Sequence, residues 1–177
     1  MEQKVNVWKA NLTNGLILGL IGVVYSLIFY FLDLSLNKAQ GYAFMVVQIA
    51  VLFYLLKSYR DNIMHGQITY GESVGAGVII CLYYSIIIGA FVYILYAVID
   101  PGLITKQLAM TEEAMNKKGL PQEAMDTAMA WTAKFIKPGI MTITGIIFNM
   151  IWGTILSLIV SIFIKKEGNP LVDTPAN

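Results

Sequence analysis

Four long apolar runs, separated by short polar stretches, set the pattern of this chain. From Ala10 to Leu32 no side chain is charged at neutral pH, a span of 23 residues that exceeds the roughly 20 needed to cross ~30 Å of hydrocarbon. Ala39 to Leu56 repeats the pattern over 18 residues, Ser73 to Ile99 over 27, and Gly139 to Ile164 closes the series. The predicted membrane helices are 10–33, 39–57, 72–99 and 139–164. The first is too long for a signal-peptide core and no small-x-small cleavage site follows it, so it is expected to be retained.

The second and third runs meet at a polar joint, Lys57 to Gly77, which holds the clearest helix start in the chain. Thr69, Tyr70, Gly71, Glu72 reads as a capping box: the Thr69 hydroxyl accepts from the Glu72 amide, and the Glu72 carboxylate reaches back to the Thr69 amide. Lys57, Arg60 and His65 fall in or just after the last turns of the preceding helix, where cations suit the carbonyl end of the dipole, and Gly66 is the natural stop. From Thr69 to Ile99 the helix would be about 46 Å long at 1.5 Å per residue, so it must tilt or project from the bilayer. Tyr93 and Tyr96 are placed for an interfacial belt, and Asp100 with Pro101 reads as N-cap and first residue of the next helix.

Residues 101–137 form the one sizeable extramembrane segment. Gly119, Leu120, Pro121 split it into two amphipathic helices, and the second presents Met125, Ala128, Met129, Thr132 and Ile136 at helical spacing. Two arrangements suit this hairpin: its helices pack on each other or on the bilayer surface, or its methionines offer an adaptable face to a partner. Residues 167–177, with two prolines and few apolar residues, read as a disordered tail.

Small and polar residues recur inside the runs. Gly15, Gly19, Gly22 and Ser26 share one face of the first helix, and Gly145, Asn149, Gly153, Ser157 and Ser161 recur every fourth residue of the last. Small residues let helix backbones approach, and the Asn149 amide could hydrogen-bond across an interface. The stripe suits packing inside the monomer, a homo-oligomer seam, or a polar permeation path. Gln48, in the middle of the second run, should face the bundle, because an unpaired amide in lipid costs several kcal/mol.

Composition agrees with the pattern. Hydrophobic residues make up 57% and charged residues 13%, too few to cover the apolar surface of a water-soluble domain. The net charge of +1 argues against a nucleic-acid partner, which needs a basic face. Lysine and arginine placement ties at six on each side of the membrane; both termini are expected in the cytoplasm, with the hairpin outside. The single Cys81 lies inside an apolar run, which leaves no internal disulfide.

The chemistry-bearing residues gather only at the joint: Lys57, Arg60, Asp61, His65 and Glu72. A histidine with two carboxylates could hold a metal or move a proton, but one histidine without regular ligand spacing is a weak signal. The simpler assignment pairs Asp61 with Arg60 or Lys57, leaves Glu72 to cap its helix, and lets Lys57 and Arg60 touch lipid phosphates. No phosphate loop, nucleophile elbow or zinc motif is present, and the four apolar runs hold no Asp, Glu, Lys or Arg. The expectation is a non-enzymatic protein with no cofactor, surrounded by membrane lipids, with a homo-oligomer or a membrane-protein partner as its assembly.

Tyr59, Arg60, Asp61, followed by Gly66, Ile68, Thr69, Tyr70, Gly71, Glu72 and Gly75, resembles the signature of an uncharacterised bacterial membrane family, domain of unknown function 4199. The Gly15 to Gly19 step, the Asp100-Pro101 pair and the amphipathic segment before the last helix are similar to it as well. The resemblance implies an all-α, polytopic bundle of four transmembrane helices in a Gram-negative inner membrane, and it brings no activity.

Overall fold

The structure, a computed structural model, describes residues 6–167. Its elements run α1 (Val7–Phe31), α2 (Lys38–Asn62), α3 (Tyr70–Ile94) continued by a π-helical turn (Leu95–Ile99), α4 (Gly102–Lys117), α5 (Gln122–Phe135) and α6 (Pro138–Ile164). No β-strand element occurs among the described residues. Four helical stretches, Val7–Phe31, Ala39–Asn62, Tyr70–Ile99 and Pro138–Ile164, are long and apolar enough to cross a membrane. The expected tail beyond Glu167 and the first five residues, with Lys4, lie outside the described residues.

Local signals place the ends. The Asn6 side chain accepts from the amides of Trp8 and Lys9 to start α1, and Asn37 accepts from Ala39 to start α2. Asp33, at φ +56°, turns the chain at the end of α1, with the Leu34 amide returning to the Phe29 carbonyl at 2.8 Å. α2 runs five residues beyond Lys57 into the joint, so Lys57 and Arg60 are helical.

α3 is the central helix, flanked by α1 and α6, and glycines bring each flank in. A Cβ added at Gly15 would lie 2.3 Å from Cβ of Tyr83, and one at Gly19 would lie 2.5 Å from Cδ1 of Ile87. Across the other seam, a Cβ at Gly153 would lie 2.5 Å from Cβ of Cys81, while one at Gly89 would lie 2.8 Å from Cγ1 of Ile146. A larger side chain at any of these glycines would force its neighbour to shift. Leu18, Leu52, Leu56, Ile80 and Ile164 are fully buried between the helices.

The outer faces carry large apolar side chains too. Leu20, Val24, Phe31, Tyr42, Val46, Ile147, Phe148 and Phe163 are exposed on the outer faces of α1, α2 and α6. An apolar surface of that extent is compatible with lipid and not with water.

The hairpin joins the bundle at its root, where Leu95, Tyr96 and Leu103 are buried with Tyr30, Phe91 and Met141 around them. Lys106 of α4 pairs with Asp33 at 2.5 Å. Tyr96 is therefore not part of an interfacial belt; Tyr93, at 48% exposure, faces outward alone. The expected cap also shifts by one residue: Pro101 takes the N-cap position without a side-chain bond, and Asp100 instead accepts from the Tyr30 hydroxyl at 3.4 Å. The widened π turn that ends α3 accompanies both changes, since it alters the rotation of every residue after Ile94.

Candidate functional site

The joint is a tied corner built from α2, α3 and the exit of α6. Thr69 and Glu72 form the capping box: the Thr69 amide donates to Oε2 of Glu72 at 2.9 Å, and the Glu72 amide donates to Oγ1 of Thr69 at 3.3 Å. Arg60 donates through Nε to Oδ1 of Asp61 at 2.7 Å and through Nη1 to the Ile164 carbonyl at 3.1 Å. That carbonyl is one of the unpaired acceptors at the end of α6, so the guanidinium caps a helix 104 residues away in sequence.

Two further contacts complete the corner. Ile68 and Lys166 form an antiparallel bridge, with amide-to-carbonyl distances of 2.9 and 3.0 Å, and the Tyr70 hydroxyl donates to the Leu158 carbonyl at 3.1 Å. Beneath them Ile68 and Tyr59 are buried. Arg60, Asp61 and Glu72 are thus spent on structure, whereas Lys57 and His65 stand exposed. His65 adopts φ +53° just before Gly66 at φ +85°, so the left-handed turn begins one residue before the glycine that was expected to stop the helix. Among the described residues no three His, Cys, Asp or Glu side chains are grouped to hold a metal ion.

The polar stripe of α6 divides at its middle. Gly153 abuts Cys81, Ser157 is buried and donates to the Gly153 carbonyl at 2.7 Å, and Ser161 accepts from Ser73 of α3 at 2.8 Å. Gly145 has open space where a Cβ would stand, and Asn149 donates to the Gly145 carbonyl of its own helix at 2.9 Å. Among the described residues Asn149 thus bonds within its own helix and not across to another. The physical reason is winding: four residues turn a helix by about 400°, so an every-fourth-residue row drifts by about 40° a step and leaves the seam.

Gln48 faces inward as expected and is 2% exposed, yet its Nε2 has no hydrogen-bond partner among the described residues. On the hairpin side of it, Gly22, Tyr25, Ser26, Gln40, Gly41, Phe44 and Tyr84 line an open cleft of about 190 Å³ between α1 and α2. Tyr25 donates across that cleft to the Gln40 carbonyl at 2.8 Å. The first-helix face thus resolves into Gly15, Gly19 and Gly22 seated on α3, with half-buried Ser26 on the cleft. Sequence reasoning missed the role of Gly89 and the Ile68 to Lys166 bridge; the former was visible as an isolated glycine in an apolar run, the latter left no local signal.

These helices and seams define a polytopic, all-α membrane protein with a helical hairpin between its third and fourth spans. Within that class the chain belongs to the family described as protein of unknown function (DUF4199), whose profile matches residues 13–166. No curated protein and no solved structure matches the chain.

Proposed function

We propose that the protein is a structural or accessory component of a bacterial inner membrane, non-enzymatic, with a rigid bundle that presents the hairpin to a partner or to lipid. The observation that carries this reading is the fate of the polar stripe: of the Asn149 to Ser161 face that a permeation path would use, Gly153, Ser157 and Ser161 are closed against α3. The ionisable residues at the joint support it too, since Arg60, Asp61 and Glu72 serve as caps and ties rather than facing a cleft. We assign the joint to the cytoplasmic side, because Lys57, Arg60, Lys165 and Lys166 concentrate at the ends of two helices there.

Native mass spectrometry of the protein extracted with its surrounding lipid tests this directly. A defined foreign subunit at fixed stoichiometry is the expected result. A homo-oligomer that conducts ions or solutes across reconstituted vesicles would overturn it in favour of a small channel or carrier.

A further inference from the structure

The hairpin has more apolar surface than its own packing consumes. On a wheel of 3.6 residues per turn, the large apolar residues of α5, with Ala124, Ala128, Thr132 and the following Ile136, form an arc of roughly 160°. One half of that arc, Met125, Met129, Thr132 and Ile136, is buried or half-buried. The other half, Ala124, Ala128, Trp131 and Phe135, carries two large aromatics at 58% and 56% exposure. α4 has less to spare: its row of Leu103, Ile104, Leu108 and Met115 is buried or half-buried, and Met110, at 45% exposure, is its one exposed large apolar side chain.

Chain continuity names what covers the open half of α5. Phe135 stands three residues before Pro138, where α6 begins, and the outward residues of α6 start at once with Ile140 and Ile143. Phe135 therefore lies within a few residues of the apolar outer surface of α6, and Trp131 stands one helical turn before it. Their neighbour has matching chemistry: the Lys134 ammonium stands 4.6 Å from the Trp131 ring centroid, at the border between the apolar and polar arcs. A tryptophan with an adjoining lysine, apolar body inward and charge outward, suits the headgroup layer of a bilayer.

We infer that α5 lies along the bilayer interface, with Trp131 and Phe135 inserted between lipid headgroups and acyl chains. The hairpin is then held by its buried root at Leu103, by the helix it leads into and by this face. The inference rests on the reading of the hairpin as the contact element, and it names lipid as what the second helix meets.

The test places a nitroxide at position 131 through Trp131→Cys and, separately, at position 130 on the polar arc through Ala130→Cys, with buried Cys81 left unlabelled. The full chain is reconstituted in phosphatidylcholine and phosphatidylglycerol vesicles, and collisions with oxygen are compared with those of a water-soluble nickel chelate. Oxygen should dominate at 131 and the chelate at 130, with a several-fold difference in their ratio. Equal chelate access at both sites would overturn the inference. Protection of 131 from both reagents would overturn it as well, since a second copy of the chain would then cover the face.

A second measurement leaves Trp131 in place. In Trp8→Phe with Trp152→Phe, Trp131 is the single tryptophan, and lipids brominated near the headgroup end of the acyl chain should quench it while aqueous acrylamide should not. Quenching by acrylamide alone sinks the inference. Lipid contact at 131 in a protein that conducts solute would sink the accessory reading and leave this one standing.

Discussion

Gly153 of α6 and Cys81 of α3 are in backbone-close contact: a Cβ at position 153 would stand 2.5 Å from Cβ and 2.8 Å from Sγ of Cys81. Both residues are buried in the seam between the central helix and the last one. Eight residues earlier on the same helix, Gly145 meets nothing within 4 Å. The two glycines make a paired experiment. Gly153→Leu should destabilise the bundle by about 1–3 kcal/mol through overpacking, whereas Gly145→Leu should leave it within about 0.5 kcal/mol. Thermal unfolding in a mild detergent measures both, and equal effects would contradict the seam.

Gln48 should be better replaced than kept, as far as stability is concerned. Its Nε2 is buried without a partner, and an unsatisfied buried donor costs about 1–3 kcal/mol. Gln48→Met keeps the length and removes that donor, so a gain on the order of 1 kcal/mol is expected in unfolding by SDS titration. A loss of stability instead would reveal a bound group that the amide serves.

Arg60 ties the joint to the end of α6, and its side chain is 16% exposed. Arg60→Ala should cost roughly 1.5–3 kcal/mol, the range for hydrogen bonds to a charged group. Its local signature is faster hydrogen exchange at the Ile68 and Lys166 amides, which form the bridge beside it. Unchanged protection at those two amides would show that the bridge stands without the guanidinium.

His65 is the remaining candidate for chemistry at the joint, and its backbone offers a clean discriminator. At φ +53° it bears a left-handed cost of about 1–2 kcal/mol that glycine lacks, offset by about 0.5–1 kcal/mol of extra chain entropy in glycine. His65→Gly should therefore raise stability by roughly 0.5 kcal/mol while assembly stays intact. A marked loss of stability or assembly would assign the imidazole a role.

What the sequence disclosed followed the range of each interaction. The Thr69 and Glu72 cap is closed within four residues, and its residue types alone specify it. Gly15, Gly19 and Gly22 were readable as a seat because three small residues on one face have few other uses in a lipid-spanning helix. The α6 stripe was half readable: spacing identified small residues but not the drift that carries Gly145 and Asn149 out of the seam, where Gly89 of α3 instead receives Ile146. Tyr96 looked like an interfacial aromatic until the π turn folded it beneath the hairpin root. Arg60 had one visible partner, Asp61, and one that no local rule could supply, the carbonyl of Ile164.

The order of synthesis gives the central position of α3 a further meaning. α1 and α2 emerge first, and the glycine face of α1 has no seat until Tyr83 and Ile87 follow it into the membrane. The first two spans must therefore wait as loosely associated neighbours, touching through aromatic pairs such as Tyr25 and Phe44, until the third arrives. Assembly is committed from the middle of the chain outward: α3 closes on α1 behind it, and α6 then closes on α3 after the hairpin has been made. The joint is locked last, because its bridge partner, Lys166, is made 98 residues after Ile68.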